Sequence, residues 1–143
     1  MMVFSGEHEH GVDDKGRVVI PLAYRDALVG GVFLTRGMDN CIWLFPKATW
    51  DTLSSRLRQA PSFSSRSRMV DRRMFAGTGT EIDRQGRLLL PPPLRQHAGL
   101  KEGDGVVIAG VKNRLELWNP DRWQQALEAD AEAFDAAMAD LDL

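Results

Sequence analysis

The ten residues VDDKGRVVIP at positions 12–21 return as IDRQGRLLLP at positions 82–91. A shift of 70 places lays Val12, Asp13, Gly16, Arg17, Val18, Val19, Ile20, Pro21 and Arg25 on Ile82, Asp83, Gly86, Arg87, Leu88, Leu89, Leu90, Pro91 and Arg95. After a three-residue insertion in the second copy, LFPKATWDTL from Leu44 answers LWNPDRWQQAL from Leu117, which puts Trp50 on Trp123 at a shift of 73. A unit this small exposes apolar strand faces that only another copy can cover. The duplication therefore predicts two half-units sharing one core, and not two independent domains.

Each copy reads strand, turn, strand, helix. Asp and Gly mark the turn, and VVIP or LLLP reads as a short buried strand stopped by proline. A helical turn is predicted over residues 24–28 and again over 94–98. GGVFLTRG followed by DNCIWLF predicts a hairpin turning at residues 37–40, and GVVIAGVKNRLELW predicts its repeat at residues 111–113. Asn119 before Pro120 supplies a capping side chain and a first-turn proline for a C-terminal helix. On it Trp123, Leu127, Phe134, Met138 and Leu141 recur at helical spacing, a row expected to pack on the protein's own sheet or on a neighbouring subunit.

The expected division is a first unit with its helix over residues 1–58, a basic connector over 59–76, and a second unit with the C-terminal helix over 77–143. The fold class is α+β, mainly β. Within the connector, residues 64–75 read as a helix with Met69, Val70 and Met74 turned inward. Six arginines and one aspartate fall between Arg56 and Arg73, a density that suits either phosphate contact or a solvated linker.

Composition narrows the function classes. The 143 residues carry one cysteine, Cys41, within the apolar run CIWLF, which reads as a buried strand thiol and excludes a disulfide framework. No run approaches the roughly 18 apolar residues of a membrane span, and MMVFSGEHEH lacks a basic start with a long apolar stretch. A cytoplasmic protein without membrane contact is expected. The formal charge of −2 hides an asymmetry: residues 1–95 hold 14 Lys and Arg against 10 Asp and Glu, and residues 96–143 hold 4 against 10. An anionic partner would meet the first part.

The repeated DxxGR loop has its own chemistry. Glycine permits a tight loop, the aspartate can accept from backbone N–H groups, and arginine offers a planar fork suited to phosphates or guanine edges. Asp13, Gly16, Asp83 and Gly86 are the loop-structuring candidates. Lys15, Arg17, Arg84 and Arg87 are the DNA-binding candidates, followed by Arg25 and Arg95. An alternative stays open in which Asp13 with Arg17, and Asp83 with Arg87, form structural clamps. Asp14 makes the first loop less basic, so loop contacts are expected to add to a wider basic surface.

Catalytic readings find little support. His8, His10 and His97 with Glu7 and Glu9 offer no ligand set at a recognisable spacing, so no metal is expected. GTGTEID from Gly77 lacks the lysine and the strand-to-helix setting of a phosphate loop, and its glycines read as a strand entry or bulge. No catalytic residues, cofactor or small-molecule substrate are expected.

Phe4 and Gly6, DDKGRVVIP with Arg25, DRQGRLLLP with Leu94, Arg95, Ala98 and Leu100, and the later VVIAG and LELW with Trp123 together resemble the MraZ family of bacterial transcriptional regulators. The resemblance covers nearly the whole chain. It implies the related AbrB-like swapped-hairpin fold, with both loop-hairpin units interlaced into one small β-barrel and helices after each unit. It further implies a nucleoid-associated, ring-shaped homo-oligomer. Its DNA would be double-stranded direct repeats in the promoter of the division and cell-wall gene cluster, regulated usually by repression. The rival reading is an AbrB-type antitoxin or an oligomeric non-catalytic scaffold. Antitoxins of that type usually have one fold copy and a disordered tail, against which the second copy and the patterned C-terminal helix both count.

Overall fold

A computed structural model describes residues 3–142; residues 1, 2 and 143, which the expected unit boundaries include, lie outside it. The first unit supplies β1 (Glu7–Gly11), β2 (Arg17–Val19), α1 (Leu22–Arg25), β3 (Val32–Arg36), β4 (Ile42–Pro46) and α2 (Lys47–Gln59). After α3 (Ser65–Phe75), the second supplies β5 (Thr78–Thr80), β6 (Arg87–Leu89), α4 (Pro92–Ala98), β7 (Gly105–Val111), β8 (Arg114–Trp118) and α5 (Pro120–Asp140). Among the described residues, no helix is long and apolar enough to cross a membrane.

Strand pairing explains why the sequence is written twice. Six antiparallel strands run in the order β1-β7-β8-β4-β3-β5, and β2 pairs with β6 as a separate ribbon. Each unit thus gives its first strand to the other's hairpin: β1 lies on β7, and β5 lies on β3. Across β2 and β6, Val18 opposes Leu88, its own repeat equivalent; across β4 and β8, Trp43 opposes Glu116 in the same relation. Residues that meet their equivalents in an antiparallel pair lie on a two-fold axis, so a pseudo-dyad passes through both pairs. Backbone hydrogen bonding does not close a full barrel, because β1 and β5 remain edges of the sheet. A single bridge from Val12 to Val18 joins the end of β1 to the ribbon.

Sheet and ribbon enclose the main core. Period-two alternation turns Leu34, Ile42, Leu44, Leu115 and Leu117 toward the ribbon's Val18, Ile20, Leu88 and Leu90, and all are buried in one cluster. Burying each such side chain stabilises the fold by roughly 1.5–3 kcal/mol. The opposite face of the central strands is covered too, by Cys41, Val107 and Trp118 with Trp43, Trp123 and Ala126 against them. On this face Trp50 of α2 stacks on Phe33 at 3.7 Å, and Trp123 of α5 meets Trp118 edge-on at 5.4 Å.

Helix ends follow local chemistry. Ser64 accepts from the Ser67 N–H at 3.0 Å to start α3, and Asn119 accepts from the Asp121 and Arg122 N–H groups to start α5. The root of α5 is tied further, with the Asn119 amide donating to Gly99 and Arg122 donating to the carbonyl of His97.

One packing expectation fails, and a second is met within the chain only in part. Met69 and Val70 are 55% and 40% exposed instead of turned inward. The reason is that α3 is anchored by its C-terminal turn alone: the Thr35 hydroxyl donates to the carbonyls of Arg73 and Met74, and Phe75 packs edge-on against Trp50. Likewise only Trp123 and Ala126 of α5 reach the sheet. Leu127, Phe134, Met138 and Leu141 are exposed because α5 runs on past the sheet after its second turn, which leaves a neighbouring subunit as their expected cover.

Candidate nucleic-acid interface

The two DxxGR loops adopt one structure. Asp13 Oδ1 accepts from the N–H groups of Lys15 and Arg17, each at 2.9 Å, while Oδ2 accepts from Arg17 Nε at 2.8 Å. Asp83 repeats this with Gln85, Arg87 and Arg87 Nε, all at 2.9 Å. The Arg17 N–H, then the Lys15 N–H and the guanidinium, hold the Asp13 carboxyl down to about 2, and the same kind of contacts lower Asp83. Both aspartates therefore stay ionised and lock their loops. The clamp is present in both copies, and it uses only the Nε edge of each arginine.

Glycine is required where each loop crosses the other unit. Gly16 and Gly86 have φ of +78° and +79°, a left-handed conformation costly for other residues. Their carbonyls accept from the opposite strand ends, Gly86 from the Ile20 N–H and Gly16 from the Leu90 N–H. A Cβ on Gly16 would lie 3.0 Å from Arg95 Cζ, and one on Gly86 would press still closer on Arg25 Cζ. Arg25 Nε donates to the Ile20 carbonyl at 2.8 Å and Arg95 Nε to the Leu90 carbonyl at 3.0 Å. These half-buried arginines sit beneath the partner unit's loop as braces.

The ribbon sets what faces outward. Val18 and Leu88 point into the core, so alternation turns Arg17, Val19, Arg87 and Leu89 to the other side. Leu89 is 55% exposed. Arg17 opposes Leu89, two residues from Arg87, which spaces the two arginines about 7 Å along the ribbon. Lys15 and Arg84 are exposed at the loop tips beside them. The four loop cations are thus brought to one dyad-related face, while Arg25 and Arg95 lie behind it.

Histidines are dispersed. His8 packs edge-on against Tyr24 at 5.3 Å, and His97 Nε2 donates to the Gly37 carbonyl at 3.2 Å. Burial pulls His97 below its usual value, with Arg73 and Arg36 adding to the shift. Among the described residues no group of three His, Cys, Asp or Glu is placed to hold a metal ion.

One polar site escaped sequence reasoning. Glu116 accepts from the indole N–H of Trp43 at 3.1 Å, from that of Trp118 at 3.0 Å, and from Arg114, whose guanidinium lies 4.7 Å above the Trp43 ring. The signal was available: in LELW a glutamate occupies the face of a strand buried on both sides, where it needs donors.

Comparison with known proteins finds the same two units. Residues 3–73 and 74–143 each match the family described as “MraZ protein, putative antitoxin-like”. The chain is 43% identical over 143 residues to the Transcriptional regulator MraZ of Roseiflexus castenholzii, covering 97% of this chain and 99% of that one. It is 45% identical over 124 residues to that of Thermus thermophilus, covering 86% of each. It is 39% identical to that of Natranaerobius thermophilus, over 99% of this chain and all of the other. Two tandem matches and full-length relatives settle the point: the chain belongs to the MraZ family of transcriptional regulators.

Proposed function

We propose that the protein binds double-stranded DNA sequence-specifically and represses the division and cell-wall gene cluster from direct repeats in its promoter. The observation that carries this is the outward face of the β2/β6 ribbon, with Arg17 and Arg87 about 7 Å apart and Lys15 and Arg84 beside them. A major groove about 12 Å wide admits a two-stranded ribbon, an arginine fork reads guanine, and an apolar side chain such as Leu89 suits a thymine methyl. Lys15 and Arg84 take phosphates. Arg25 and Arg95 serve DNA indirectly, through the loops they brace.

The protein acts as a nucleoid-associated homo-oligomer in a ring, without cofactor or catalytic step. Its two loops are equivalent in position but differ in sequence, so identical copies associate head to tail and meet direct repeats in one orientation. Repeats spaced by about 10 to 10.5 bp fall on one DNA face.

A mobility-shift titration at fixed salt tests the reading. Arg17→Ala and Arg87→Ala weaken binding while chain folding and assembly persist, and the logarithm of affinity falls by about 0.9 per neutralised phosphate against log salt. Unchanged affinity in both variants, or a flat salt response, overturns it. Equal protection of direct, inverted and half-turn-shifted sites in a footprint overturns the repeat geometry alone.

A further inference from the structure

Two surfaces of the molecule are built to be covered and are not covered within the chain. The first is α5 beyond its root: every described residue from 127 to 142 is exposed. This leaves about 20 Å of helix in water, and a free helix of that length is marginal alone. Its apolar residues Leu127, Phe134 and Leu141 recur every seven residues, with Ala131 and Met138 four places after the first two. That is a two-residue-per-heptad seam.

The second surface is a groove of about 290 Å³ beside α3, lined by Met38, Trp43, Met69 and Met74 and rimmed by Arg36 and Arg73. Met38 and Met69 are 69% and 55% exposed. Among the described residues nothing fills it, because α5 departs from the sheet after Ala126.

Charge decides what fits the groove. Helix α5 carries six Asp and Glu against one arginine, while α3 carries four arginines against one aspartate. Pairing α5 with a second α5 would set like charges along the whole seam. Pairing it with α3 sets opposite charges beside an apolar seam and an apolar groove.

We propose that the groove beside α3 receives the distal half of α5 from a second copy of this chain. This deepens the assembly reading above and does not depend on DNA. Phe134 and Met138 enter between Met38, Trp43 and Met69, and Glu132 and Asp135 meet Arg72 and Arg73. Since each copy has one groove and one α5, every subunit both gives and receives.

Sedimentation at tens of micromolar protein without DNA provides the test. The wild type sediments as a multiple of 16.0 kDa, and Phe134→Asp/Met138→Asp reduces it to the single-chain mass. Arg72→Glu/Arg73→Glu does the same, and adding Glu132→Lys/Asp135→Lys to it restores the assembly. Cysteines introduced one at a time into a Cys41→Ser chain keep the test independent of folding losses: Met138→Cys mixed with Val70→Cys gives at least a tenfold excess of mixed over self cross-links on oxidation. A single-chain wild type overturns the proposal, as do Phe134→Asp/Met138→Asp variants of unchanged mass, charge-swapped chains that fail to reassemble, or dominant Met138→Cys self cross-links. Failure of DNA binding with these results intact leaves the proposal standing and removes only the functional reading.

Discussion

Replacing Gly86 by alanine is the sharpest probe of how the two halves hold each other. The φ of +79° at this position costs an L-residue about 1–2 kcal/mol. The new methyl also meets the Arg25 guanidinium, which must move and give up its 2.8 Å hydrogen bond to the Ile20 carbonyl. That loss adds about 0.5–1.5 kcal/mol. Gly86→Ala is therefore expected to destabilise the protein by about 1.5–3.5 kcal/mol. In an Arg25→Ala background only the backbone strain remains, so its cost falls to about 1–2 kcal/mol. Gly16→Ala should cost less than Gly86→Ala, because its methyl would lie 3.0 Å from Arg95 Cζ and the end of that side chain can shift. The assay is urea unfolding at fixed protein concentration, followed through the fluorescence of the four tryptophans. Equal cost of Gly86→Ala in both backgrounds, within about 0.5 kcal/mol, would refute the argument that Arg25 of one unit braces the loop of the other.

Glu116→Ala strips the acceptor from Trp43, Trp118 and Arg114 and should cost about 3 kcal/mol, with Glu116→Gln milder; an unchanged urea midpoint speaks against the network. His97 binds its proton less readily folded than unfolded, so its contribution is present above its ordinary value near 6.5 and is lost as pH falls through the lower folded value. His97→Gln should flatten the fall of stability on the acid side of 6.5, and a retained slope assigns it elsewhere. The lowered Asp13 and Asp83 carboxyls give stability that is complete above 3.8 and is lost as pH falls below it, toward about 2 for Asp13. Asp13→Asn/Asp83→Asn should reduce the acid sensitivity of the melting temperature over that range, and an identical acid profile refutes the clamp's share.

The repeat made the shared core and the order of elements legible, because VVIP and LLLP had to cover each other and both hairpins carried their turn residues. The loops were legible as chemistry: spacing alone placed Asp13 within reach of Arg17, and two readings of that pair were open. Three-dimensional crossing was not legible. Arg25 and Arg95 repeat as exposed-looking cations after a proline, and nothing local says that each runs beneath a glycine 61 or 79 positions away in the other unit. The apolar rows on α3 and α5 were legible as amphipathic, but periodicity marks a face to be buried without naming what buries it. Among the described residues the chain covers Trp123 and part of Met74, and leaves the rest of both rows exposed.

Fusing two copies lifts a rule that binds any pair of identical chains, namely that whatever stands on the symmetry axis must meet itself. A glutamate there would face a glutamate, and like charges directly opposite on a sheet repel; a tryptophan would compete with a tryptophan for one space. In the single chain, Trp43 instead faces Glu116 and donates to it at 3.1 Å. The halves have become complementary rather than interchangeable. A substitution at either position changes the demand on the other, and no two copies of one half could rebuild this centre.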